Sequence, residues 1–189
     1  MKQEIRVLGI DDASFDKQDN EVLLVAPFFR GGRLMDGLLS TKVERDGDDA
    51  TVKIIEMINS SKFRPQLQAI LLDGIAFGGF NVVNIESITK NTAIPVITII
   101  RKYPDFVAIK ATLKKLDMEK KYPLMELAGE PQKAGLKNAE IWFQYAGCTK
   151  ETAEEVIKVT TIHGNIPEPL RIAHIIGQGI ILGESSGGA

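Results

Sequence analysis

With one cysteine and two histidines in 189 residues, the chain has little from which to build a disulfide framework or a zinc site. Cys148 has no histidine beside it in the sequence, so a cysteine nucleophile has equally little support. Long apolar runs are missing too. Even Ile172–Leu182 is interrupted by His174, Gly177, Gln178 and Gly179, far from the roughly 20 apolar residues a spanning helix takes. Charges at Lys2, Glu4 and Arg6 come before any apolar stretch, so the expected chain has no secretory signal and no membrane span, and works in a reducing cytoplasm. A net charge of −2 and a pI near 5.8 argue against a protein that holds nucleic acid chiefly through a global basic field.

What remains is an ordinary globular composition, 44% hydrophobic and 25% charged, at a length expected to form one domain over residues 1–189. The charge is uneven. Residues 1–60 carry eight Lys/Arg against twelve Asp/Glu, and residues 101–140 carry nine against six. That separation suits a cation at one place and an anionic substrate beside it, although surface charge also varies this much by chance.

Hydrophobic patterning supplies the architecture. Glu4–Ile10 is an apolar strand running into Asp11-Asp12, Glu21–Arg30 a second, and Arg33–Glu44 a third, with Gly31-Gly32 as a tight turn between the last two. After Asp48-Asp49 the period turns helical, with Asp49 as a candidate cap. Ala69–Leu72 is a short buried strand ending at Asp73-Gly74, residues 81–90 a helix, Pro95–Ile100 a second buried strand, and Asp105–Leu116 an amphipathic helix. Residues 117–138 form a variable insertion. A strand at Ala139–Ala146, a helix capped by Thr149, a last helix opened by Pro167-Glu168-Pro169 and a flexible tail at 183–189 complete the chain. Three strands joined by short connections are antiparallel, and the strand–helix units that follow require parallel pairing. The expectation is an α/β fold, a mixed five-stranded sheet with helices on both faces.

In such a sheet functional groups gather beyond the carboxyl ends of the parallel strands, where Asp11 and Asp73 both stand. On neighbouring strands roughly 4.8 Å apart they can share an ion. Hard oxygen donors suit magnesium or manganese, and two or three such carboxylates are the minimum for metal-assisted phosphodiester hydrolysis. Asp beside Gly after a strand is also an ordinary turn, and Asp12 has the same alternative. Asp46, in Arg45-Asp46-Gly47, is a third candidate that equally fits a turn. Gly74, Gly78 and Gly79 precede a helix, so their amides are candidates for receiving an anion, although the loop lacks the Lys-Ser/Thr of a phosphate-binding Walker loop. Phe77 and Phe80 read as core residues or as stacking partners for a base.

Five ordered pieces resemble an uncharacterised, largely archaeal family of unknown function related to endonuclease V. They are Gly9-Ile10-Asp11-Asp12, Arg33-Leu34-Met35-Asp36-Gly37-Leu38-Leu39, Leu72-Asp73-Gly74, Ile94-Pro95-Val96-Ile97 and Pro167-Glu168-Pro169-Leu170-Arg171-Ile172-Ala173-His174. The resemblance implies a ribonuclease H-like fold and cleavage of DNA or RNA with magnesium or manganese. It implies Asp11, Asp46 and Asp73 as metal ligands and Arg101, with Lys102 next to it, in the place of a catalytic lysine. Where endonuclease V has a histidine after the Asp-Gly motif, this chain has a shortened Phe77-Gly78-Gly79 loop; a second histidine position falls on Cys148, and the strand-separating wedge is not evident. The leading expectation is an endonuclease V-like phosphodiester hydrolase. Its rivals are a catalytically silent nucleic-acid-binding module and a phosphate-ligand protein using Gly74–Gly79.

Overall fold

A computed structural model describes residues 4–135 and 140–186. Three long strands open the chain: β1 (Arg6–Asp12), β2 (Glu21–Arg30) and β3 (Leu34–Glu44). They form an antiparallel meander, and Gly31 adopts φ 59° at the turn between β2 and β3. Helix α1 (Ala50–Asn59) leads to β4 (Ala69–Asp73). A small ribbon, β5 (Ala76–Phe77) with β6 (Asn81–Val82), then precedes α2 (Ile85–Thr92) and β7 (Val96–Ile100). Helices α3 (Phe106–Lys115) and α4 (Tyr122–Glu126), strands β8 (Gln132–Lys133) and β9 (Trp142–Ala146), and helices α5 (Lys150–Thr160) and α6 (Glu168–Leu182) follow.

The main sheet has seven strands in the order β3-β2-β1-β4-β7-β9-β8. β1, β4 and β7 run parallel to one another, and β9 pairs with β7 antiparallel. The expected run of five strands is therefore present, extended by two, of which β9 pairs antiparallel with β7. β4 and β7 are apolar and buried almost throughout, as central strands covered on both sides must be. Leu8, Ile10, Ile70, Leu72 and Val96 face α1 and α2. Val7, Leu71, Ile97 and Ile99 face the other way, toward α5 and α6.

Other local expectations shift for identifiable reasons. The second helix begins at Ile85, four residues later than its period suggested, because residues 81–82 pair as β6 and Asn84 caps the helix by accepting the Ser87 N–H. Asp49 does not cap α1 through its side chain; its carboxylate accepts from the Glu44 N–H and the Asn81 amide instead. Thr149 does cap α5. In the expected insertion, Lys121 is buried and donates to the Gly47 carbonyl and the Asp48 carboxylate, tying this segment to the turn after β3. The insertion's last residues, 136–138, the start of the next expected strand at Ala139, and the tail from 187 to 189 lie outside the described residues. Among the described residues no helix is long and apolar enough to cross a membrane.

Helix α6 lies along β1 at unusually close range. A Cβ on Gly9 would stand 2.5 Å from the backbone of Pro169, and one on Gly177 would stand 3.0 Å from Ala13. Eight helical residues span about 12 Å, and the four strand residues from Gly9 to Ala13 about 13 Å. Helix and strand thus run side by side with two backbone contacts at matching separations, and His174 falls between them.

Candidate active site

Ile10 pairs with Leu72 in the β1–β4 register, so the next residues, Asp11 and Asp73, stand side by side at the carboxyl ends of the two strands. Strand alternation puts both on the α5/α6 face, with Val7 and Leu71. Together with Asp12, Ala13, Ser14, Phe15, Arg101 and His174 they line a cleft of about 570 Å³. A larger cleft of about 730 Å³, around Arg30, Gly32 and Leu34, lies at the opposite end of the sheet, beside the start of β1.

Asp11 is 5% exposed. One carboxylate oxygen accepts the Asp12 N–H at 2.9 Å, and the other lies 3.1 Å from His174 Nδ1. Burial, reinforced by the neighbouring Asp73 and Asp12 carboxylates, pushes its acid up to about 8. Asp12 points to the other face of β1, where it accepts the Gly78 N–H at 2.7 Å. Burial raises its acid as well, against the opposing pull of that hydrogen bond. Asp73 receives Arg101 Nη2 at 2.7 Å. Arg101 begins the loop after β7, and Asp73 pairs with Ile99 in the β4–β7 register; the guanidinium therefore reaches across one strand.

His174 is the residue that sequence reasoning passed over. Its Nδ1 faces Asp11, and its Nε2 lies 3.0 Å from the Gln178 side-chain nitrogen, one turn along α6. The Gln178 oxygen accepts the Ser186 N–H at 3.0 Å, which leaves the amide nitrogen to donate. With Gln178 donating to Nε2, the ring proton faces Asp11 from Nδ1. The available signal was the last helix's Ile-Ala-His, one of only two histidines in the chain, but helical period alone could not show which strand this face meets. Cys148, where a histidine was expected by resemblance, is half-buried against the α5/α6 core and its thiol is pushed up by burial.

Asp46 does not join the other carboxylates. It sits at φ 55° and accepts the Phe80 N–H at 2.9 Å and the Arg45 guanidinium at 3.1 Å. Gly78 lies between it and the cleft, giving its N–H to Asp12 and its carbonyl to the Asp46 N–H. Among the described residues no three His, Cys, Asp or Glu side chains converge closely enough to hold a metal ion.

Nor does the expected anion cradle form. The Gly74 N–H goes to the Ile99 carbonyl and the Gly78 N–H to Asp12, so these amides already have acceptors within the chain. Gly79, at φ 92°, would place a Cβ 2.3 Å from Asp46 Oδ1, and its role is to let the Asp46 clamp close. Phe77 is wholly buried and belongs to the core. Lys102 is exposed at the rim beside Arg101.

Comparison with known proteins gives the family and the fold. The UPF0215 protein of Methanothermobacter thermautotrophicus is 46% identical over 192 residues, an alignment covering all of this chain and 94% of that protein. A crystal structure of a protein of unknown function from Archaeoglobus fulgidus superposes with a TM-score of 0.85 at 40% identity, covering 94% of this chain and 98% of that one. Endonuclease V from Ciona intestinalis, solved with a 24mer DNA containing an inosine, gives a TM-score of 0.57 at 16% identity, covering 89% of this chain and 82% of that one. The human endonuclease gives 0.56 at 14%, covering 89% and 81%. These last two likenesses establish the endonuclease V, ribonuclease H-like fold. The family model for endonuclease dU matches residues 3–181, and the chain belongs to that family.

Proposed function

We propose that the chain is a divalent-metal-dependent phosphodiester hydrolase acting on nucleic acid. The observation that carries this reading is the pairing of Asp11 and Asp73 at adjoining parallel strand ends, with His174 on the first and Arg101 on the second, around one cleft. A buried carboxylate and a half-buried one brought together against their mutual repulsion are a donor set that fits magnesium or manganese, ions that complete their shell with water and substrate phosphate. Such an ion, when bound, would supply charge stabilisation at the phosphate and a more acidic water.

The chain's own groups divide the remaining work. Asp11 and Asp73 would hold the ion. Arg101 would neutralise phosphate oxygens, as a cation that cannot give up its proton. His174, fixed between Asp11 and Gln178, would hold or accept a proton at the reacting oxygens. Asp46 would act one step removed, by clamping the turn that positions Gly78 and hence Asp12. The family's name makes deoxyuridine in DNA the first substrate to try, and the endonuclease V complexes make inosine the second. A catalytically silent binding module is the second reading, favoured by one observation: Asp46, the expected third ligand, stands outside the cleft.

The test uses labelled DNA and RNA strands holding deoxyuridine, inosine or neither, with manganese or magnesium, and compares the wild type with Asp73→Asn. Metal-dependent cleavage lost in the variant supports the hydrolase. Binding without cleavage selects the silent module, and cleavage that survives in Asp73→Asn overturns the assignment of the site.

A further inference from the structure

The loop that carries Arg101 into the cleft continues through Lys102 to Tyr103, which is 45% exposed. Tyr103 is not loosely held. Its ring meets Trp142 edge-on, with centroids 4.7 Å apart at 69°, and Phe106 at 5.9 Å and 87°. The following residue is Pro104, which confines Tyr103 to extended backbone, and Asp105 then caps α3 by accepting the Ala108 N–H. A partly exposed aromatic ring is thus held by two aromatic neighbours and by its own backbone.

Its position matters as much as its rigidity. Trp142 pairs with Ile100 in the β7–β9 register, which puts the aromatic pair at the sheet end that carries Asp73. Arg101 lines the cleft, and Tyr103 is two residues further on, at most about 7 Å along the chain. From Asp11 on β1, through Asp73 on β4 and Arg101 after β7, to Trp142 on β9, the groups step across successive strands. Cations accompany the step: Arg101 lines the cleft and Lys102 beside it is exposed. A phosphate at Arg101 with an aromatic ring one nucleotide away is the combination by which proteins bind single strands, the charge tracking the backbone and the ring stacking a base.

We propose that Tyr103, backed by Trp142, is a stacking platform for the unpaired nucleobase adjacent to the phosphate at Arg101. The proposal rests on the reading of the cleft as a nucleic-acid site and adds to it a requirement for an unstacked base. A duplex keeps its bases stacked inside the helix and offers Tyr103 no free ring face.

Fluorescence anisotropy with a labelled single-stranded DNA and its fully paired duplex, both in EDTA, measures binding by the wild type, Tyr103→Phe, Tyr103→Ala and Tyr103→Leu. Leucine keeps Trp142 covered but has no π face, and melting curves check that each variant folds. The expected result is a loss of about tenfold in single-strand affinity for Tyr103→Ala and Tyr103→Leu. Tyr103→Phe should stay within about twofold and the weaker duplex binding should not change. Trp142, the only tryptophan, should report single-strand binding through its emission in the wild type and not in Tyr103→Leu.

Equal single-strand binding by the wild type and Tyr103→Leu overturns the platform, as does an equal loss on both polymers, which would mark a general structural effect. If that happens while Asp73-dependent cleavage stands, the hydrolase reading survives without the platform. Tyr103-dependent binding with no cleavage leaves the platform and removes the hydrolase. A wild type that binds neither polymer removes both.

Discussion

His174 Nδ1 lies 3.1 Å from Asp11 Oδ2, although 163 residues separate the two in sequence. The contact joins the first strand to the last helix at the most buried carboxylate of the cleft. It also orients that carboxylate: with one oxygen on the Asp12 N–H and the other on His174, Asp11 has no rotational freedom left, and the imidazole is held in turn by Gln178.

Replacing His174 with asparagine should lower metal-dependent turnover by about a hundredfold, the range for loss of a positioned proton-transfer group. Manganese affinity should change little, because both carboxylates remain. Single-turnover cleavage beside calorimetric metal titration separates the two effects. Turnover equal to the wild type would remove His174 from the chemistry.

Asp11 also sets a pH dependence. The folded chain holds its proton up to about pH 8, whereas an aspartate in the unfolded chain titrates near ~3.9. Asp11 therefore favours the folded state fully below the lower value, and this contribution is lost as pH rises through about 8. In EDTA, urea stability should fall between pH 5 and 8.5, and Asp11→Asn should flatten the slope while raising stability at the alkaline end by about 1–3 kcal/mol. The slope left in Asp11→Asn belongs to Asp12, whose acid is raised in the same direction. Identical slopes in the two proteins would show that the Asp11 proton is not the linked one.

Arg101 and a metal ion would compete for the same carboxylate, since the guanidinium lies 2.7 Å from Asp73 Oδ2. Arg101→Ala should bind manganese several-fold more tightly than the wild type and yet turn over at least about a hundredfold more slowly. Weaker manganese binding in the variant would mean that Arg101 and the ion do not share Asp73.

The α6 docking predicts opposite effects from two glycines. Gly9→Ala drives a methyl against Pro169 backbone at 2.5 Å and should cost about 2–3 kcal/mol. Gly179, in the same helix as Pro169 but with open space around it, should gain about 0.5–1 kcal/mol on substitution by alanine. Chemical unfolding of both variants is the check. A neutral Gly9→Ala would mean that the helix can withdraw from β1 at no cost.

Asp46 separates two roles by a conservative change. Asparagine tolerates φ 55° and keeps an oxygen for the Phe80 N–H, so Asp46→Asn should retain manganese affinity and stability, whereas Asp46→Ala should lose about 1–2 kcal/mol. Loss of manganese binding in Asp46→Asn would make Asp46 a ligand and require the Gly78–Gly79 turn to open.

The sequence made Asp11 and Asp73 visible because each ends an apolar strand, and strand ends in a parallel sheet converge by topology. Glu168 and Arg171, three residues apart in α6, pair at 2.7 Å, and a contact of that kind needs no knowledge of the rest of the fold. His174 was out of reach for the opposite reason: its partner is defined only once α6 is laid along β1, and the two glycines that permit this, Gly9 and Gly177, carry no periodic signal. Asp46 misled because Arg-Asp-Gly after a strand looks the same whether the carboxylate enters a cleft or closes its own turn. The backbone angle of 55° decides between them, and it is not written in the residue pattern. β9 likewise has the composition of a central strand, and composition does not encode direction.

The fit of α6 against Gly9 and Ala13 carries a consequence for biosynthesis. A ribosome makes β1 first and α6 last, so Asp11 and Asp73 can take their places in the sheet while the histidine that locks Asp11 is still unmade. Until α6 has emerged and settled against Gly9 and Ala13, a nascent chain holds a pair of neighbouring acidic groups with one restraint absent. The cleft reaches its final geometry only after synthesis has passed the last helix, so a prematurely terminated chain has the acidic residues but not the finished site.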